Sequence, residues 1–533
     1  MNLPKKKARI FSEDSSRARS RAVVFNATNY FNGDSTNDEF NFTEPIAPAS
    51  SQTTQNDNAP RIRKAHQCHE SGESNQMDTD IEYFVGSLDK ENNNDVRCLS
   101  LLGLAAKVMS IEYRMHLRAH EDMPKIMTRL TDAPNDPNLA LSCATLMFIH
   151  NQDKMSSDID PIALKLMLNL INGGENVHTT DKVEKKHKDK VLELIAQMKE
   201  NGHAKYLDTN DITAANLATE TLLGLNSKRA GEWFKEELRR LKGIDFILDT
   251  IATLSQTEDL ETNDALMNRL DRCMQLLENI TFQNKCNQEY MIKYNDGVLI
   301  DSCLELLTLC KREITVAVDD SRLKLFTTAL STTVRVLNNI TSENEISSLI
   351  GSRFELTDLI LYFIYDLQSF IKPEQRSDIS MICVCLLINM VEYNKQLRSY
   401  LMNDSSRIHD LIDTFYKRIH EAQQTEQQAD QLLDSHKREK MTEAMQDSLI
   451  NQVIAKSGKH MEHSVIAACL AILFGCIIQD NSDYREQLIS YLHHNSVAPL
   501  VDVLQKLHDF AHLADIMTKT GVDRVKRILK VLK

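Results

Sequence analysis

The stretch Leu276-Leu-Glu-Asn-Ile-Thr-Phe-Gln-Asn284 decides the fold, because the chain repeats its pattern. Two further copies align with it without a gap, and each ends in Asn five residues after a first Asn. A fainter fourth copy has Cys at the position of the first Asn. The other copies are Val336-Leu-Asn-Asn-Ile-Thr-Ser-Glu-Asn344, Leu386-Leu-Ile-Asn-Met-Val-Glu-Tyr-Asn394 and Leu473-Phe-Gly-Cys-Ile-Ile-Gln-Asp-Asn481. Internal similarity of this kind indicates a repeat protein.

Each copy is interpreted as the end of a helix in one repeat. We expect the leading apolar pair to pack on the neighbouring repeat, and the first Asn to satisfy backbone groups at the helix end. The terminal Asn either caps the C-terminus of that helix or begins the next turn. Successive copies are 60, 50 and 87 residues apart. Because a HEAT or armadillo unit has about 40 to 47 residues, we expect these units to carry insertions.

The composition also favours a chain built from helices. It includes 15 Gly and 10 Pro, where average usage at this length gives about 37 and about 27. With so few turn-forming residues, sandwiches, barrels and Gly-rich nucleotide-binding folds are disfavoured. Amphipathic segments follow one another from Ile81 to the C-terminus. The predicted fold class is all-α, a HEAT/armadillo-like helical repeat solenoid.

Residues 1–75 have a different composition, rich in Ser, Asn, Asp, Thr and Gln, and we expect a disordered tail there. A compact basic cluster in this tail resembles a nuclear import signal, and an ordinary solvated run of charge is the alternative. A second polar stretch, residues 421–457, is expected to form a solvated helix or a mobile insertion. The cluster consists of Lys5, Lys6, Lys7 and Arg9.

The charge distribution favours protein partners. The chain has a net charge of −14, of which residues 1–75 carry +1 and the remainder −15. Because an acidic body gains nothing from long-range attraction to phosphate, we expect neither DNA nor RNA as its main ligand. The N-terminus lacks an apolar leader and no uncharged apolar stretch of about 18 residues occurs, so secretion and membrane spanning are not expected. The eleven Cys are interpreted as reduced and buried.

Metal binding and catalysis find little support in the sequence. The segment His66-Gln-Cys68-His69 has no second ligand cluster at a structural zinc spacing. His116 and His120 have helical i,i+4 spacing but no Glu of an H-E-x-x-H motif between them, so we interpret them as a polar helix edge. Phosphate-binding loops, dinucleotide fingerprints and nucleophile elbows are absent from the sequence. We therefore predict no enzyme activity, no cofactor and no metal.

Two segments are candidates for protein interaction. Arg114 and Arg118, one helical turn apart, are expected to present a paired basic edge. In Ser227–Arg240, Lys235 and Arg239 form one i,i+4 row, and Glu236 is placed to pair with Arg240. Trp233, the one Trp of the chain, is interpreted as a core or inter-repeat anchor, with an exposed partner contact as the alternative.

A set of segments in fixed order resembles the conserved C-terminal domain of the Wings apart-like (WAPL) cohesin-release factors, over roughly residues 78–533. The longest of these segments, which begins Ser-Lys-Arg-Ala-Gly, is the most specific. The segments are Asp80-Ile-Glu-Tyr83, Arg97-Cys-Leu-Ser100, Arg114-Met-His-Leu-Arg-Ala-His120, Ser227-Lys-Arg-Ala-Gly-Glu-Trp-Phe-Lys-Glu-Glu-Leu-Arg239, Leu386-Leu-Ile-Asn-Met-Val-Glu-Tyr393 and Gly458-Lys-His-Met-Glu462.

The resemblance implies a bilobal helical domain with lobes at 76–260 and 261–533. It also implies a nuclear, chromosome-associated protein without enzyme activity, which binds cohesin near the SMC heads and kleisin and favours opening of the gate between them. A Pds-type HEAT-repeat protein is the implied second partner, although the tail lacks the Phe-Gly-Phe motifs of vertebrate members. A generic HEAT/armadillo nuclear adaptor is the alternative. The implied partner-binding residues are Asp80, Arg114, Arg118, Lys228, Arg229, Lys235, Glu236 and Met461.

Overall fold

The computed structural model describes residues 65–151, 160–173, 175–178, 181–204, 207, 209, 212–225, 227–342, 350, 353–435, 443–514 and 517–533. Every regular element among these residues is a helix, so the predicted all-α helical-repeat class is confirmed. The basic cluster at Lys5, Lys6, Lys7 and Arg9 lies outside the described residues. The first helix begins at Ala65, inside the segment 1–75 that we expected to be disordered.

Contacts between Cα atoms divide the described chain into two compact units, 65–294 and 295–533. The boundary falls beyond the one placed at 260/261 from the sequence, because the helix Asp264–Thr281 packs on the three α-helices that precede it in the first unit. The first unit contains α1 (Ala65–Ser87), α2 (Asn94–Val108), α3 (Ile111–Ala119), α4 (Asp122–Arg129), α5 (Pro137–His150), α6 (Pro161–Asn172), α7 (Glu175–His178), α8 (Lys185–Glu200), α9 (Ala214–Gly224), α10 (Ser227–Arg240), α11 (Gly243–Ser255), α12 (Asp264–Thr281) and α13 (Lys285–Lys293).

The second unit is built around long helices that pack in series, α15 on α17 and α17 on α20. Its helices are α14 (Val298–Val316), α15 (Asp320–Thr341), α16 (Phe354–Tyr365), α17 (Pro373–Glu392), α18 (Lys395–Met402), α19 (Ser405–Ser435), α20 (Glu443–Ile478), α21 (Ser482–Tyr491), α22 (Ala498–Ala514) and α23 (Lys519–Leu532). Short 3-10 turns occur at Ala133–Asn135, Glu258–Glu261, Tyr294–Gly297, Leu367–Ser369 and His493–Asn495.

The repeated sequence marks the junction between a long helix and a short one. Its terminal Asn begins the second helix: the side chain of Asn284 accepts from the N–H of Asn287 at 2.8 Å, and that of Asn394 accepts from Leu397 at 2.9 Å. Asn481 caps α21 in the same way. Each therefore satisfies an N–H that the first helical turn leaves unpaired. The remaining terminal Asn, Asn344 of the second copy, lies outside the described residues.

The first Asn of the third copy, Asn389, has a different role from the one expected at that position. In the third copy, the Asn389 amide nitrogen lies 3.3 Å from the hydroxyl of Thr341 and 3.4 Å from the side-chain oxygen of Asn338, both on α15. Asn338 in turn donates to the carbonyl of Ile382 on α17 at 2.8 Å. These amides link α15 to α17, and Asn338 also donates to the carbonyl of Val334 in its own helix at 3.1 Å. The pair Leu386 and Leu387 beside Asn389 is fully buried.

The described parts of the polar stretch 421–457, residues 421–435 and 443–457, belong to two long helices that pack against each other, α19 and α20. Lys456 donates to Gln428 at 2.6 Å, and a ring nitrogen of His460 lies 2.9 Å from the carbonyl of Ala422. The two contacts show that the helices are antiparallel. The polar residues lie where α19 ends and α20 begins.

The apolar part of α20 is long and hydrophobic enough to meet the length and composition test for a membrane-spanning helix. Over Ser448–Ile478 an 18-residue window has a mean hydropathy of 2.1, and 78% of that window is buried inside the protein. A mostly buried core helix of this kind satisfies the same test. Its inner residues pack on α17 and α22.

Candidate partner-binding surfaces

The α10 helix, which contains the whole of the segment beginning Ser-Lys-Arg-Ala-Gly, is held to the end of α12 by Lys235. The Lys235 ammonium donates to the carbonyl of Phe282 at 2.6 Å and pairs with Glu232 at 3.0 Å. Only 2% of Lys235 is exposed to solvent. A buried ammonium with a main-chain acceptor and a carboxylate partner has its charge satisfied inside the molecule. Lys235 therefore positions α10, and its charge is not displayed on the surface.

The outer face of α10 is defined by Trp233 and Glu236. Trp233 is 43% exposed, whereas its neighbour Phe234 is buried at 2%. The expectation that Trp233 is a core anchor is therefore wrong, since Phe234 fills that position. Glu236 is exposed. A half-exposed Trp beside an exposed carboxylate is a suitable surface for a protein contact, because Trp is enriched among residues that dominate interface energies.

Ion pairing on α10 also differs from the expected pattern. Arg240 pairs with Glu237, Nε to Oε2 at 2.7 Å, rather than with Glu236. This hydrogen bond holds the pKa of the Glu237 carboxyl below its usual range. Arg239 donates to the side chain of Asn287 on α13. The backbones of Lys228 and Arg229 lie in α10, and their side chains lie outside the described part of the chain.

Arg114 and Arg118 do not form a paired basic edge. The Arg114 guanidinium is buried at 8% and donates from Nη1 to the carbonyls of Val108 and Met109, at 2.7 and 2.9 Å. These carbonyls are at the C-terminal end of α2, where helical partners are missing. The Arg114 side chain thus joins α3 to α2 and does not display its charge on the surface. Arg118 is half-buried.

Asp80 on α1 forms an ion pair with Lys107 on α2 at 2.9 Å and accepts from Gln76 at 2.9 Å. The hydrogen bond from Lys107 is the main reason that the pKa of Asp80 is lowered. Its side chain is 22% exposed, so one edge of the carboxylate remains on the surface. Met461 on α20 is half-buried, which gives it both inward contacts and an accessible edge.

Sequence reasoning missed Asp78, because this residue reaches the His pair only through the packing of α1 on α3. Its Oδ1 lies 2.7 Å from His116 Nε2, and the rings of His116 and His120 are 4.4 Å apart. One ligand atom from each of the three residues lies within 4.8 Å of the other two. Two imidazoles and a carboxylate at this spacing could hold a metal ion.

The described cysteines are free thiols, and most are buried, as the sequence suggested. Burial raises the pKa of Cys98 and of Cys143 to about 12. These thiols are therefore protonated and unreactive at neutral pH. Cys286 is exposed and Cys385 is half-buried.

Comparison with known proteins identifies the family. The protein-family model described as "Wings apart-like protein regulation of heterochromatin" matches residues 61–397. Protein wings apart-like of Drosophila melanogaster is 30% identical over 514 residues, which cover 88% of this chain and 30% of that protein. The Wings apart-like protein homolog of Homo sapiens is 30% identical over 545 residues, covering 87% of this chain and 46% of that protein. The chain thus spans less than half the length of these two relatives.

Among solved structures, one from a study of the interaction between cadherin and beta-catenin has a TM-score of 0.37 at 12% identity, covering 85% of this chain and 83% of that one. The repeat character of this chain rests on the helix junctions described above. The family match covers more than half of the chain, including α10 and the first three copies of the repeat. The chain belongs to the Wings apart-like family.

Proposed function

We propose that this protein is a non-enzymatic, nuclear regulator that releases cohesin from chromatin. It binds the cohesin ring at the SMC head region and the kleisin, and it favours opening of the gate between them. The observation that carries the proposal is the family match over residues 61–397. Control of sister-chromatid cohesion and of mitotic and meiotic chromosome structure follows from this activity.

Release by a binding protein requires a difference in affinity between two forms of the ring. A protein that binds the open and the closed form equally well shifts nothing, however tightly it binds. Moving the gate from 1:99 to 99:1 open requires a preference of about 10⁴-fold for the open form. A helical repeat presents its contacts on a connected, packed framework, which is suited to holding one arrangement of a partner in preference to another.

The outer face of α10, Trp233 and Glu236, is the surface that we assign to cohesin. The exposed part of Trp233 supplies apolar area, and Glu236 supplies charge. By family resemblance, Lys228 and Arg229 of the same helix are further candidate contacts with cohesin. Lys235 holds α10 in place through the Phe282 carbonyl, so its contribution is to position the surface.

Further contacts are assigned to Asp80, Arg118 and Met461, each of which is half-buried in the described structure. Arg114 supports Arg118 by joining α3 to the end of α2. A Pds-type HEAT-repeat protein acts as the second partner, by family resemblance.

The residence time of a fluorescent cohesin subunit on chromatin, measured by photobleaching, tests the proposal. We expect depletion of this protein to lengthen the residence time and the wild-type chain to restore it. Unchanged residence on depletion would contradict release and favour a nuclear adaptor instead.

A matched pair of variants tests the α10 surface in the same assay. Trp233 and Leu433 are both 43% exposed, and Leu433 lies outside the residues matched by the family model. Trp233→Ala combined with Glu236→Lys is expected to fail to restore release, whereas Leu433→Ala restores it. Full activity of the double variant would exclude the outer face of α10 as the cohesin contact.

A further inference from the structure

The junction of α1 and α3 brings together three side chains that share no sequence motif. Asp78 comes from α1, and His116 and His120 come from successive turns at the end of α3. Their ligand atoms all lie within 4.8 Å of one another. We propose that Asp78, His116 and His120 bind a divalent transition-metal ion of the zinc type, which clamps α1 to α3. This site goes beyond the proposed function.

The donor set fits zinc. Imidazole nitrogen and carboxylate oxygen bind Zn²⁺ at about 2.0 to 2.2 Å, and three protein ligands with water in the fourth position are a common arrangement. Two ligands of one such ion are about 3.3 Å apart in a tetrahedron. The Asp78 Oδ1 and His116 Nε2 atoms, now 2.7 Å apart, must separate by about 0.6 Å to reach this spacing. The ligand atom of His120, within 4.8 Å of both, must reach the same spacing.

The surroundings favour a cation at this point. His120 is the C-cap residue of α3, and its neighbours include the last carbonyls of that helix. The C-terminal end of a helix carries a partial negative charge, which stabilises a positive ion beside it. Asp78 contributes a full negative charge and is half exposed, and His120 is exposed. An ion can therefore enter from solvent.

His116 supplies the rigidity that the site needs. Its side chain is only 10% exposed, so packing between α1 and α3 fixes the direction of the ring. Arg118, which lies between the two His in sequence, is two positions from each and so on a different face of the helix. The ion would join two rigid helices through one buried and two accessible ligands.

A second cluster, Asp95, Glu184 and His187, has similar spacing but a different environment. There the Lys186 ammonium pairs with both carboxylates, Asp95 and Glu184. A cation from the chain itself already neutralises that cluster. Asp95 therefore provides a control for the proposed site.

The test is Zn²⁺ titration of the full chain in competition with a chromophoric chelator, together with thermal unfolding with and without Zn²⁺. We expect the wild type to bind one ion at this site and to gain thermal stability from it. His120→Ala and Asp78→Asn should each weaken binding by more than about tenfold and abolish the gain. Because His120 is exposed and Asn keeps the shape of Asp78, both variants are expected to fold.

Two control variants complete the test. Asp95→Asn and Cys68→Ser should bind Zn²⁺ as the wild type does. If His120→Ala binds Zn²⁺ as tightly as the wild type, or if no stoichiometric binding occurs, the proposal is wrong. Loss of binding in Cys68→Ser alone would overturn it in favour of a site in the His66-Gln-Cys68-His69 segment.

Discussion

The ammonium group of Lys235 donates a 2.6 Å hydrogen bond to the main-chain carbonyl of Phe282, the C-cap residue of α12. The same ammonium pairs with Glu232, whose other oxygen accepts from the side chain of Asn284 at 2.7 Å. Asn284 is the terminal Asn of the first repeat copy and caps α13. The segment most specific to the family is thereby tied to the junction that the repeated sequence builds.

Charge reversal at Lys235 should unfold this junction rather than report on partner binding. Lys235→Glu places a carboxylate against the Phe282 carbonyl and beside Glu232, and we expect a loss of about 3 to 5 kcal/mol in the free energy of unfolding. Glu236→Lys, one residue along and exposed, should change it by less than about 0.5 kcal/mol. Urea denaturation measures the free energy of unfolding of both variants. Equal stability of the two variants would show that the buried hydrogen bond contributes nothing.

The terminal Asn of the repeat should behave as an N-cap in every described copy. Asn394→Ala and Asn481→Ala remove the acceptor for the N–H of Leu397 and of Tyr484, and each should lower the free energy of unfolding by about 1 kcal/mol. Asp accepts the same hydrogen bond, so Asn394→Asp should retain most of the stability. The comparison of Ala and Asp variants by thermal unfolding separates capping from a general effect of substitution.

The fold was predictable because its signals are local. Scarce Gly and Pro and apolar residues at helical spacing define the helices, and the spaced Asn residues mark where a long helix ends and a short one begins. The role of Asn389 was not predictable, since its partners Asn338 and Thr341 are about 50 residues away in sequence. The boundary between the two units depends on the packing of α12, which is also a long-range property.

Site residues were predictable as helical rows but not as surfaces. The i,i+4 spacing correctly places Arg114 and Arg118, or His116 and His120, one turn apart. The spacing does not tell which member of a row faces a neighbouring helix. It therefore did not predict that Arg114 is buried at the end of α2. Spacing within α3 also gives no information on Asp78, which α1 supplies.

Arg114 should prove structural when it is compared with Arg118. Arg114→Ala leaves the carbonyls of Val108 and Met109 without their donor, and we expect the free energy of unfolding to fall by about 1 to 3 kcal/mol. Arg118→Ala should lower the free energy of unfolding less than Arg114→Ala does, because Arg118 is half-buried whereas Arg114 is buried. Urea denaturation of the two variants gives the comparison, and a neutral Arg114→Ala would contradict the assignment.

His178 on α7 should make the protein less stable in mild acid. Burial and the positive charge of Arg269, whose Nη2 is 3.4 Å from His178 Nε2, lower the pKa of His178 to about 4. Since the unfolded chain takes up this proton near pH 6.5, stability is unaffected above that pH and falls between 6.5 and 4.

The contribution of His178 should be about 1 kcal/mol after allowance for partial exposure. Thermal unfolding at several pH values measures it. His178→Gln should flatten the profile between pH 6.5 and 4, whereas exposed His494→Gln should leave it unchanged. A profile that is equally steep in both variants would assign the acid sensitivity to other groups.

Glu392 should hold the last helix of the chain in place. It is 2% exposed at the end of α17, and it pairs with Arg524 at 2.9 Å and with Arg527, both on α23. Glu392→Gln keeps the shape of the side chain but leaves two guanidinium groups facing a neutral amide, which we expect to cost about 2 to 4 kcal/mol. In this variant, amide hydrogen exchange in α23 should accelerate more than exchange in the other helices, because α23 depends on these ion pairs.

Lys526→Gln, exposed on the same helix, provides the control and should leave exchange in α23 unchanged. If exchange in α23 is equally slow in both variants, apolar packing of Ile528 against Gly475 on α20 holds the helix instead.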